Sequence, residues 1–186
     1  MTQSANQSLL IHTQYVKDLS FESPNAPHLF FHDDYNSGVD HRDVKVDVNV
    51  AFLDKNIVEV TLVVKVECLF KTSTKGGNVT AADGEVSGVR ERGDGDDSDD
   101  EKNIKQISYV VDMQYSGVFS MKFSELPDEE KNRVLYVNCP QLLFPYARAI
   151  VHNIVREGGF APFHMPVVDF LGIFRERVAK MQNTAE

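Results

Sequence analysis

The stretch Ile57-Val-Glu-Val-Thr-Leu-Val-Val-Lys-Val-Glu-Cys-Leu-Phe70 decides how this chain is read. Val58, Val60, Leu62, Val64, Val66, Cys68 and Phe70 share one parity, and Glu59, Thr61, Lys65 and Glu67 share the other. Successive side chains on a strand point to opposite faces, so a period of two marks a strand with one covered face and one wet face.

Three more segments carry the same period. Over residues 43–52, Val44, Val46, Val48, Val50 and Phe52 oppose Asp43, Lys45, Asp47 and Asn49. Over residues 105–120, Ile107, Tyr109, Val111, Met113 and Tyr115 oppose Ser108, Val110, Asp112, Gln114 and Ser116. Over residues 9–22, the later part sets Lys17, Leu19 and Phe21 against Asp18, Ser20 and Glu22. Four such strands imply an antiparallel sheet with one face to cover.

The second half of the chain supplies the cover. Residues 127–137 open with Pro127 and acidic side chains, which suits a short helix. A longer helix is expected from near Pro140 to Gly158-Gly159, with Leu143, Ala147, Ile150, Val151 and Ile154 as its apolar stripe. Pro145 predicts a kinked or separate first turn. Asp169 is a candidate N-cap for a last helix, on which Phe170, Phe174, Val178 and Met181 line one side. The fold class is therefore α+β, a single domain over residues 1–186. Two connections are long. One is 23–42, with Pro24-Asn25-Ala26-Pro27; the other is 71–103, with the run Asp94-Gly-Asp-Asp-Ser-Asp-Asp-Glu101. A block of like charge cannot bury surface, so 71–103 is expected to be a disordered acidic loop insertion.

The charge balance is −9, and 42% of the 186 residues are hydrophobic. A chain of this length buries roughly 70% of its unfolded surface, so it needs no disulfide or metal to hold a core. The acidic balance argues against nucleic acid and against anionic membranes as partners. Only Cys68 and Cys139 are present, which fits a reducing compartment. The polar start lacks the basic and apolar parts of a signal peptide, and no run reaches membrane-span length. The expectation is a cytoplasmic protein.

Catalytic patterns are missing from the sequence. Gly76-Gly77 and Gly158-Gly159 lack the surroundings of a phosphate loop. His28, His32 and His41 lie near Asp33 and Asp34, either as a metal cluster or as solvated loop side chains. Asp94, Asp96 and Ser98 echo a calcium loop, but Asp99 stands where glycine is needed and Lys105 where glutamate is needed. Cys139 precedes Pro140 at a helix start, where a thiol is either activated or simply buried. The reading is a binding protein rather than an enzyme, with no metal and no cofactor.

Three stretches point to a family. Lys17-Asp-Leu-Ser-Phe-Glu-Ser-Pro-Asn-Ala-Pro-His28 resembles the first strand and following loop of the SecB family of protein-export chaperones. Val111-Asp-Met-Gln-Tyr-Ser-Gly-Val-Phe119 is similar to its fourth strand. Cys139-Pro-Gln-Leu-Leu-Phe-Pro-Tyr-Ala-Arg148 resembles its helix-opening signature, the most specific of the three. The ending Gly159-Phe-Ala-Pro-Phe-His-Met-Pro-Val-Val-Asp-Phe170 also fits.

This resemblance implies a four-stranded antiparallel sheet with C-terminal helices on one face, assembling as a homotetramer, a dimer of dimers. It implies an ATP-independent chaperone that holds non-native precursor proteins and delivers them to the SecA motor. The zinc-bearing C-terminal tail of SecA is expected to dock on positions matching Asp18, Glu22, Val110 and Asp112. Val111, Met113 and Tyr115 match positions near the dimer–dimer contact. Phe30, Phe31, Phe144, Tyr146, Phe160, Phe163 and Met165 are the candidates for apolar client contacts, with the core as their other reading. The sequence departs from the family in its long acidic link between strands three and four, and in a short tail after Met181. The alternative function is a SecB-like chaperone dedicated to a toxin–antitoxin system.

Overall fold

The computed structural model describes residues 9–31, 41–73 and 103–183. Four strands, β1 (Leu10–Glu22), β2 (His41–Asp54), β3 (Ile57–Ser73) and β4 (Asn103–Ser120), form one antiparallel sheet in the order β1-β4-β3-β2. Three helices follow: α1 (Asp128–Arg133), α2 (Cys139–Glu157) and α3 (Phe170–Asn183).

The covered face of β3 is realised as the alternation predicts, while on its other face Glu59 and Thr61 are buried too. Val58, Val60, Leu62, Val64, Val66 and Cys68 keep no exposed surface. From β4, Tyr109, Val111, Met113 and Phe119 join them, and α2 brings Leu143, Ala147, Val151 and Val155. Fully burying one such side chain contributes about 1.5–3 kcal/mol, whereas an exposed ion pair contributes about 0–1 kcal/mol. The valine row therefore sets the fold and the charges on the other face do not. Gly117 lets α2 approach the sheet, since a Cβ there would lie 2.7 Å from Leu143 Cδ2.

The helix ends follow their local signals. At the end of α2, the Gly159 N–H donates to the Arg156 carbonyl at 3.1 Å and the Phe160 N–H to the Val155 carbonyl at 3.2 Å. This is the paired C-terminal bonding that calls for a left-handed residue, and Gly159 has φ +86°. Asp169 Oδ1 accepts the Gly172 N–H at 3.0 Å, capping α3.

Two expectations are corrected. The helical segment expected over 127–137 runs over 128–138, but its second half is a π-helical turn, Val134–Asn138, that leads directly into α2, and the kink expected at Pro145 is absent. The irregularity lies there, and α2 is continuous through Pro145. The hairpin between β3 and β4 also reaches further than expected, because Ser73 pairs with Asn103. The rest of the 71–103 segment lies outside the described residues, and so does the Asp94–Ser98 calcium-loop echo. Among the described residues, no helix is long and apolar enough to cross a membrane.

Candidate functional site

The sheet's open face gathers the four residues matched to SecA docking. Glu22 pairs with Val110, Ser20 with Asp112 and Asp18 with Gln114 across β1 and β4. Asp18, Glu22, Val110 and Asp112 thus share one face on neighbouring strands. Asp18 and Glu22 are exposed, while Val110 and Asp112 are half-buried. Asp112 is not a free charge, because the Lys65 ammonium sits 2.8 Å from its carboxylate.

Lys17 does not follow the parity expected of it. Val16 pairs with Tyr115 and Asp18 with Gln114, so Lys17 is the extra residue of a β-bulge. The bulge puts Lys17 on the open face, where its ammonium bonds Glu59 at 2.8 Å. The Tyr15 hydroxyl donates to the other oxygen of the same carboxylate. Behind them, Thr61 and Ser116 share a buried hydroxyl–hydroxyl bond of 2.8 Å. The hydrogen bond from Lys17, then that from Tyr15, holds the Glu59 carboxyl below its ordinary range. The same pairing raises the Lys17 ammonium. No pattern in the sequence announced this cluster, since a bulge has no fixed signature in the strand alternation.

The seven apolar candidates divide. Phe144, Phe160, Phe163 and Met165 belong to the core. Phe160 packs in tilted contact with Tyr109, Phe30 and Phe21, with ring centroids 4.7, 5.3 and 6.1 Å away. Phe30 is half-buried, whereas Phe31 and Tyr146 are 82% and 55% exposed. Val111 and Met113 have no exposed surface and Tyr115 only 7%, so these three also lie inside the protomer. Burial, then the proximity of Tyr146, raises the Tyr115 hydroxyl. Alternation had not signalled the exposed apolar residues of edge strand β1, Leu10, Val16 and Leu19. Leu142 is likewise exposed on α2.

The opposite edge carries a groove. Val44, Lys45 and Val46 of β2, with Pro166, Val167, Val168 and Ile173, line about 410 Å³ of open, largely apolar space. Val167 is 87% exposed. A signal was available in the sequence: Pro166-Val-Val168 is an apolar run outside any periodic element. Near the start of β2, the Arg42 guanidinium lies 5.3 Å from the Phe163 ring centre, and its Nε donates to the Tyr109 hydroxyl at 3.3 Å.

Neither cysteine is set up for chemistry. Both are buried, and burial pushes the Cys139 thiol up to about 12. Among the described residues no group of His, Cys, Asp and Glu could hold a metal ion. His32, Asp33 and Asp34 of the histidine-rich loop lie outside them.

Comparison with known proteins gives this geometry its family. The profile of the preprotein translocase subunit SecB matches residues 2–89 and 98–181. The chain belongs to the SecB family. It is 33% identical over 173 residues to the protein-export protein SecB of Paramagnetospirillum magneticum, covering 93% of this chain and 87% of that one. It is 33% identical over 180 residues to the protein of the same name from Granulibacter bethesdensis, covering 96% and 86%. Its fold is similar to a solved SecB-like chaperone of Mycobacterium tuberculosis in complex with a peptide from an antitoxin, with a TM-score of 0.55 at 12% identity over 86% of this chain and 90% of that one. Within the 71–103 segment, residues 90–97 are not matched by the profile.

Proposed function

We infer that this chain is a holding chaperone for protein export, which keeps non-native precursors unfolded without ATP and delivers them to SecA. Its family membership carries this reading. The geometry supports it with apolar surface left open: the groove beside β2, and Phe31. Such surface suits clients that offer no fixed polar pattern, and several weak contacts on one long chain add through effective concentration. The antitoxin-bound relative is 12% identical and shares the fold alone, whereas the export proteins are 33% identical, so export is favoured.

Assembly as a tetramer completes the proposal. The exposed apolar residues of β1 would join two sheets edge to edge, and Leu142 and Tyr146 on α2 would pack two dimers together. Val111, Met113 and Tyr115 would then act on assembly by holding β4 and its neighbours in place. SecA would dock on Asp18, Glu22, Val110 and Asp112, an apolar position among carboxylates on one open face. The direct test is refolding of a denatured substrate at chaperone excess. Refolding should slow equally with and without ATP; unchanged refolding rates would mean that the chain does not hold clients.

A further inference from the structure

Strand β2 is an edge, yet one position along it is closed. On an antiparallel strand, alternate residues turn both backbone groups toward the neighbour or both away. The Val48 N–H donates to the side-chain Oδ1 of the preceding residue, Asp47, at 2.8 Å. The Val48 carbonyl accepts a bond of 2.7 Å from Nη1 of Arg177 on α3. Both backbone groups of Val48 therefore face the outer edge, and both are taken by side chains of this same protein.

Parity carries the argument along the strand. Val44 and Val46 share the phase of Val48, so their N–H and C=O groups face outward too, into the groove lined by Pro166, Val167, Val168 and Ile173. Among the described residues, no side chain is recorded on those groups of Val44 or Val46. An edge with outward backbone groups accepts an added strand from an extended chain. The added strand would set alternate side chains against the apolar groove wall and the others toward the exposed Asp43 and Lys45.

Arg177 is well placed to stop such a strand. Its guanidinium lies 5.1 Å from the Tyr136 ring centre, and Tyr136 stacks on Phe174 at 5.9 Å, one turn earlier on α3. Nη2 also lies 3.7 Å from Asp47 Oδ1. A guanidinium stacked on one ring and aimed at one carbonyl is a fixed donor rather than a loose surface charge.

We propose that Arg177, with Asp47, is a register stop: non-native clients add a short strand to β2 at Val44 and Val46, and pairing ends at Val48 because Arg177 occupies its carbonyl. The occupant is an extended client segment alternating apolar with polar residues. This rests on the holding-chaperone reading.

The test is amide hydrogen exchange of the full chain with a reduced, carboxymethylated, permanently unfolded protein as client. With the wild type, client should protect the amides of Val44 and Val46 and leave Val50 unchanged. Arg177→Met keeps the stem over Tyr136 but removes the donors. In that variant, protection should extend to Val50 and client release should slow about fivefold, the effect of one added hydrogen bond. Asp47→Ala frees the Val48 N–H and removes the carboxylate beside Nη2, but leaves Arg177 on the Val48 carbonyl, and should leave Val50 unprotected. Client binding that protects Val44 and Val46 but leaves Val50 as unprotected in Arg177→Met as in the wild type overturns the register stop and leaves the chaperone reading standing. Binding with no protection on β2 overturns strand addition. No client binding by the wild type overturns the reading on which the proposal rests.

Discussion

The two edges of the sheet are built on opposite plans. Strand β2 runs in unbroken register with β3 from His41 opposite Leu69 to Phe52 opposite Val58, and shifts only at its tip. Strand β1 slips twice against β4, at His12 and at Lys17. The regular edge is guarded from outside, by Arg177 on the Val48 carbonyl. The bulged edge is held from its own open face, by Glu59 gripping Tyr15 and Lys17. A straight edge invites pairing along its length and needs a stop, whereas a bulged strand carries extra residues and needs an anchor for them. The straight edge adjoins the apolar groove, and the bulged one carries the exposed Leu10, Val16 and Leu19.

The sharpest way to break this contrast is one substitution made at a register pair. Leu19 on β1 and Met113 on β4 stand directly opposite each other, on the covered face. Met113 has no exposed surface, while Leu19 is 36% exposed. Met113→Arg should cost about 3–5 kcal/mol and unfold the protomer, because the charge would be buried without a partner. Leu19→Arg should leave the protomer folded and reduce the assembly below a tetramer, since an edge arginine can reach water. Circular dichroism reads the first and light scattering the second. A folded Met113→Arg protomer, or a tetrameric Leu19→Arg, would contradict the assignment of core and edge.

A smaller effect tests the anchor. Glu59→Gln removes the charge that Lys17 and Tyr15 share and should cost about 1 kcal/mol at neutral pH, discounted because the cluster borders solvent. The sign follows from the lowered carboxyl. A group whose folded pKa lies below its ordinary 4.5 contributes fully above that pH and loses its contribution as pH falls through the folded value. The gap between wild type and Glu59→Gln should therefore be constant from about pH 5 to 9 and close on acidification. Denaturant melts at several pH values read it; a gap that widens in acid would show that another carboxylate sets the acid limit.

These effects follow the line between what was legible in the chain and what was not. The parity of Val58 to Phe70 fixes which face of β3 is covered, because burial on one side leaves a period of two that nothing else produces. The same logic misplaced Lys17, since an inserted residue shifts parity without changing composition. Helix ends were readable where a local group makes them, at Gly159 and Asp169, and were not readable at Val134–Asn138, where tertiary packing decides. The SecA quartet was placed by resemblance, and its sharing of one face follows from the register of β1 on β4. The aromatic candidates were not separable, because Phe160 and Phe31 are the same residue type and only packing buries one and exposes the other. The groove depends on a segment, Pro166 to Val168, folding back beside Val44 and Val46, a juxtaposition over more than a hundred residues that no local pattern encodes.

The smallest expected effect lies on the open face between the two edges. Asp18 and Glu22 stand exposed on the bulged strand, whereas Asp112 is engaged by Lys65, a residue of β3 exposed to solvent itself. If the face attracts a basic tail through its carboxylates, subtracting an acid and subtracting the neighbouring base should act in opposite directions. Asp18→Ala or Glu22→Ala should weaken binding of the SecA tail about two- to fivefold, the range of an exposed charge pair. Lys65→Ala should tighten it by a similar or smaller factor, because the Asp112 carboxylate is released. The ion pair itself contributes so little that Lys65→Ala should change stability by no more than about 0.5 kcal/mol. All of these differences should shrink as salt rises, since exposed charges are screened within about 10 Å at 0.1 M ionic strength. Calorimetry of the tail against each variant at low and high salt separates the cases. Weakening by Lys65→Ala would mean that the tail reads the shape around Val110 rather than the charge around it, and identical affinity in every variant would move the docking face elsewhere.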